Sequence, residues 1–102
     1  MINLTKKPFF LAREDIEWVE NTKNSMTVEE KIGQLFVPIG YSGDSDYLDN
    51  VMLSHHIGGI MYRCGESKEM QQTHRYLQEH SRIPLLIGAN LEDGGCGIAT
   101  DG

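Results

Sequence analysis

The chain has 102 residues, 39% of them hydrophobic, and 15 acidic against 9 basic side chains give it a formal charge of -6. That length suits one domain rather than two, and without a basic cluster nucleic acid is not expected as a partner. No apolar run approaches the roughly 18 residues that cross a bilayer, and Pro8 to Ala12 is too short for a signal-peptide core. A soluble, cytoplasmic protein with no membrane partner is therefore expected.

From the N-terminus, Arg13 to Asn24 places Ile16 and Val19 on one stripe with Trp18 beside them, and its acidic residues gather in the first turns. This predicts an amphipathic helix whose dipole those carboxylates favour. Thr27-Val28-Glu29-Glu30 then has the form of a capping box: the Thr27 hydroxyl can accept from the Glu30 amide while the Glu30 carboxylate reaches back to the Thr27 amide. A short helix is predicted from there to about Gly33.

The apolar run Leu35-Phe36-Val37-Pro38-Ile39, closed by Gly40, is too short for a helix and predicts a first strand over Gln34 to Ile39. Pro38 donates no ladder bond, which confines it to the strand's end or to an edge. Ser42 to Asp46 supplies N-cap candidates, and Tyr47, Leu48, Val51, Met52 and His55 continue at helical spacing. After Gly58-Gly59, Ile60-Met61-Tyr62 predicts a second strand. Ser67 then reads as the cap of a helix in which Met70, His74 and Leu77 share the buried face, while Lys68, Gln71, Gln72, Arg75 and Gln78 face water. Ile83-Pro84 stops that helix, and Leu85-Leu86-Ile87 predicts a third strand.

Alternating strands and helices with buried-type apolar runs predict a parallel sheet covered on both faces. Right-handed crossovers would then bring Gly40, Arg63 and Asn90 to one side, at the C-terminal strand ends where α/β proteins carry their sites. The glycine-rich end without a closing helix and the two unpaired sheet edges imply the opening part of a larger barrel, and the edges offer a route to self-association.

Cys64 and Cys96 match no metal or disulfide spacing and read as two reduced thiols, while the adjacent His55 and His56 point apart. No metal or other cofactor is expected. The stretch after the third strand carries more information. Asn90 and Glu92 are two apart, so on extended backbone they share a face, where an amide and a carboxylate suit the paired hydroxyls of a sugar. The neighbours Glu92 and Asp93 point apart and do not form a catalytic dyad. On composition alone the same residues also make an ordinary solvated turn. Arg63 and Tyr41, directly after the second and first strands, are further contact candidates for a carbohydrate; Trp18 is expected to pack its helix onto the rest of the domain.

Three segments in order, Met26-Thr27-Val28-Glu29-Glu30-Lys31-Ile32-Gly33-Gln34-Leu35-Phe36, Ile57-Gly58-Gly59-Ile60-Met61 and Arg82-Ile83-Pro84-Leu85-Leu86-Ile87 with the following Asn-x-Glu-x-Gly-Gly, resemble the N-terminal part of a family 3 glycoside hydrolase, most closely the β-N-acetylhexosaminidase branch. The resemblance implies the first three βα units of a (β/α)8 barrel preceded by N-terminal helices. It also implies a retaining enzyme for β-linked sugars whose nucleophile and acid/base group lie downstream of the third strand. Under it, residues 1–102 hold substrate-binding residues but no catalytic ones, and are expected to be inactive alone. The family's usual Asp-Gln-Glu-Gly-Gly-Arg becomes Asn90, Leu91, Glu92, Asp93, Gly94 and Gly95, which removes one carboxylate and a bidentate arginine. A non-catalytic carbohydrate-binding or self-associating α/β module remains the alternative.

Overall fold

The computed structural model describes residues 2–62, 64–92 and 94–101; Arg63, Asp93 and the side chain of Met52 lie outside that description. Helix α1 spans Arg13–Ser25 and α2 Val28–Gly33. Strand β1 is Ile39–Gly40, followed by α3, Ser45–Asp49, which runs on into a π-helical turn, Asn50–Ser54. Strand β2 is Gly59–Tyr62, α4 is Ser67–His80, β3 is Leu86–Gly88, and a 3-10 turn covers Gly94–Gly97. The strands lie in sequence order and all pairs are parallel.

The capping box forms as expected. The Glu30 amide donates to Thr27 Oγ1 at 3.1 Å and the Thr27 amide to Glu30 Oε2 at 2.7 Å. Glu30 also accepts from Arg82 Nη1 at 2.7 Å, while Arg82 Nη2 donates to Ser25 Oγ. One guanidinium thus joins the end of α1 and the start of α2 to the loop before β3. These bonds, led by the one from Thr27, hold the Glu30 carboxyl below its ordinary range.

Two strands begin later than the apolar runs predict, and hydrogen bonding explains both. The Leu35 and Phe36 amides donate to Ile32 O and Gly33 O at 3.0 Å, closing α2 rather than joining a ladder. Pro38 has no amide to give. The first strand therefore shrinks from the expected Gln34 to Ile39 to Ile39–Gly40, and Leu35 stands 82% exposed. At β3, Gln78 binds both backbone groups of Leu85, its Oε1 accepting from the amide at 3.0 Å and its Nε2 donating to the carbonyl at 2.9 Å. Gln78, expected only to face water, thus ends up holding the chain where it leaves the helix.

The core is built on one face of β2. Ile60 and Tyr62 point from it into a cluster with Leu48 of α3, Met70 and Leu77 of α4, Ile57 and Leu85. Leu48, Ile60 and Leu77 are fully buried, each burial stabilising by about 1.5–3 kcal/mol. Both helices cover the same side, because successive right-handed crossovers in a 1-2-3 strand order always return on one side. The other face carries Ile39, Met61 and Leu86, with Leu86 74% exposed. The expectation of two covered faces is thus corrected: among the described residues only one is covered. The radius of gyration, 15.7 Å, accordingly exceeds the roughly 13 Å of a compact chain of this length. Helix α1 buries none of its residues, and Trp18, expected to pack it down, is 52% exposed.

Ile60→Ala is expected to cost about 2–5 kcal/mol in urea unfolding. Leu86→Ala, one face away and one residue from its ladder partner, is expected to stay within about 0.5 kcal/mol of wild type.

Candidate functional site

Parallel pairing brings the C-terminal ends of the three strands to one rim, and the chain beyond β2 and β3 supplies polar side chains there. A cleft of about 390 Å³ opens at this rim, lined by Ile39, Met61, Tyr62, Cys64, Asn90, Glu92, Cys96 and Gly97. That size lies within the roughly 300–1,000 Å³ usual for small-molecule sites. Ile39 and Met61 are register partners and so share a face, forming an apolar floor. Asn90, two residues past the end of β3, and Glu92, two further on, line the same cleft.

The glycine-rich loop is shaped by close contact. A Cβ at Gly97 would collide with the Asn90 carbonyl oxygen, so only glycine lets the 3-10 turn fold back on the start of its own loop. Gly94 has φ +72°, a conformation costly for other residues. Around Gly95 the space is open. Beyond the turn, Gly65 N donates to Ile98 O at 3.2 Å and Thr100 N to Gly65 O at 3.0 Å, which lays residues 98–100 parallel to the chain leaving β2. The loops after β2 and β3 are thereby joined.

Tyr62, on the helix side, meets His74 edge to face with ring centroids 5.7 Å apart. Burial holds the Tyr62 phenol above its ordinary pKa and pushes His74 down. Both therefore stay neutral near pH 7, and neither brings charge to the rim.

Of the four residues singled out from sequence, Asn90 and Glu92 come together in the cleft. Tyr41 is 65% exposed and is not among the residues lining it. Arg63 lies outside the described residues. Cys64 and Cys96, which matched no motif, are free and exposed as expected of reduced thiols, and both border the cleft. Their signal in the sequence was position: each follows a strand's C-terminal end. Ser67, expected to cap α4 with its own hydroxyl, is instead the helix's first residue. Its amide donates to Asp101 Oδ1 at 2.7 Å and its hydroxyl to Asp101 Oδ2 at 2.8 Å. No group of three or more His, Cys, Asp or Glu side chains is gathered for a metal ion among the described residues.

Gly97→Ala is expected to cost about 1–3 kcal/mol because the Asn90 carbonyl must move, whereas Gly95→Ala, with nothing to meet, should be near neutral. Urea unfolding of the two variants compares them directly.

No family model matches the chain. A β-N-acetylglucosaminidase/β-glucosidase of Cellulomonas fimi is 43% identical over 94 residues, which make up 92% of this chain and 17% of that protein. The solved structures of the β-glucoside phosphorylase BglX, alone and bound to 2FGlc, match 90% of this chain with a TM-score of 0.76 and 40% identity. The chain thus spans about a sixth of the length of these relatives. Likeness in sequence and fold together supports a relationship between this chain and family 3 of the glycoside hydrolases.

Proposed function

We propose that residues 1–102 form the opening βα units of a (β/α)8-type barrel in a retaining glycosidase for β-linked gluco-configured sugars, N-acetylglucosaminides among them. In this reading they bind substrate rather than carry out the chemistry. The observation that carries it is that Asn90 and Glu92 line one cleft with the apolar Ile39 and Met61 at the C-terminal rim of the sheet. An amide that donates and accepts beside a carboxylate that only accepts suits adjacent sugar hydroxyls, and the apolar side chains of Ile39 and Met61 suit the ring's C–H surface. Sequential strand order with the helices on one side supports the barrel, since an open doubly wound sheet reverses its order instead.

Retaining glycosidases need two carboxyl groups about 5–5.5 Å apart. Glu92 is read here as a binding carboxylate, and the reacting pair belongs in this reading to the later part of the barrel. With water as the acceptor the product is the free sugar, and with phosphate, as in a phosphorylase, it is the sugar 1-phosphate. The departures from the family loop fit a sugar site of altered polarity: Asn90 keeps hydrogen bonding without charge, and Gly95 leaves open the space into which an arginine would extend.

The test is kinetic, in the enzyme carrying this segment, with p-nitrophenyl β-D-glucoside and its N-acetylglucosaminide counterpart. Glu92→Ala is expected to weaken binding roughly 10- to 150-fold and Asn90→Ala roughly 2- to 10-fold, from the usual worth of charged and neutral hydrogen bonds. The unfolding midpoint should stay nearly unchanged. In phosphate buffer the product should be the free sugar and not its 1-phosphate. Unaltered KM in both variants on both substrates would refute the assignment.

A further inference from the structure

Helix α4 lacks a cap of its own. Glu66, at the N-cap position, makes no side-chain bond to the first turn, although that turn's amides have no partners within the helix. The partner comes from 34 residues further along the chain: the Asp101 carboxylate accepts from both the amide and the hydroxyl of Ser67. A carboxylate at this end of a helix also meets the positive pole of its dipole. The two bonds from Ser67, the amide's first, hold the Asp101 carboxyl below its ordinary range.

What this grip fixes is the cleft loop. Helix α4 is a rigid anchor, with Met70, Thr73 and Leu77 buried. From Asp101 the chain of contacts runs back through Thr100 and Ile98, which bond Gly65, to Gly97, which seats against the Asn90 carbonyl. Each bond alone is weak at an exposed site. Acting on one short loop, they leave it few ways to move.

We propose that Asp101 is a positioning residue for the sugar cleft: through Ser67 it pins the far end of loop 90–101 to α4 and so sets where Asn90 and Glu92 stand. This rests on the sugar-binding reading of those two residues. It assigns Asp101 no contact with substrate.

The experiment uses the enzyme carrying this segment, assayed with p-nitrophenyl β-D-glucoside well below the unfolding temperature, alongside amide hydrogen exchange over residues 94–101. Asp101→Ala is expected to raise KM about tenfold or more, as misplacement of binding groups does, and to leave kcat within about threefold. Amide exchange at Ile98 to Thr100 should quicken. Asp101→Asn keeps two-point bonding, its amide oxygen accepting from the Ser67 amide and its NH₂ donating to the hydroxyl, and should restore both KM and exchange. Because it preserves shape, it also serves if the alanine variant fails to fold: an Asp101→Asn enzyme with KM raised as far as by Asn90→Ala would overturn the proposal.

Faster exchange in Asp101→Ala with unchanged KM, while Asn90→Ala raises KM, would also overturn it, because the latch would then hold the loop without positioning the site. Unchanged exchange in Asp101→Ala overturns it as well. Failure of the sugar reading itself is told apart by unaltered KM in Asn90→Ala and Glu92→Ala, and it removes this proposal with it.

Discussion

The structure depends on the burial of Ile60 in the central strand. Ile60 is 0% exposed and pairs in register with Ile87, while the next two residues of the same strand, Met61 and Tyr62, pair with β1. Because side chains alternate along a strand, fixing Ile60 and Tyr62 against Leu48, Met70 and Leu77 fixes Met61 on the opposite face. A slip of one residue would exchange the core face for the cleft face. The floor of the site and the core of the domain are thus two consequences of one register, and neither can be altered without the other.

Above that floor the geometry is a matter of backbone rather than of packing. Loop 90–101 buries little, so it is shaped by a glycine with no room for a Cβ, by two backbone bonds to Gly65 and by the Asp101 bonds to Ser67. This is the usual division between a packed scaffold and the loops it carries. It accounts for polar groups gathering at a rim where exposed side chains are mostly free to move.

Much of the fold was legible in the sequence because the signals were local. Thr27 and Glu30 are three residues apart and capped α2 as their spacing requires, and the three apolar runs marked the three strands in order. What was not legible was distant in sequence. Nothing periodic links Asp101 to Ser67, Gln78 to Leu85 or Gly97 to Asn90, and these contacts decided the α4 cap, the start of β3 and the form of the loop. Asn90 and Glu92 were singled out because extended backbone has a period of two; Cys64 and Cys96, read only as reduced thiols, were not placed at the cleft because they share a rim, not a spacing. The over-long first strand has a different origin. Hydrophobicity marks where a chain can be buried, but ladder membership depends on free amides, and those of Leu35 and Phe36 were already taken by α2.

The same trimming changes the account of the exposed sheet. From the apolar runs the outer strands looked long enough to present two extended hydrogen-bonding edges. In the structure β1 has two residues and β3 three, and Pro38 interrupts the first edge further. Edges so short are poor templates for another strand. The larger unsatisfied surface is apolar: Leu35, Phe36 and Val37 before β1, and Leu86 on the open face of β3, all stand exposed. At about 25 cal/mol per Å² of apolar area removed from water, covering side chains is favourable whatever the edge does. Among the described residues, then, it is exposed apolar surface, including Leu86 on the face that also carries the floor of the cleft, rather than strand edge whose covering burial would favour.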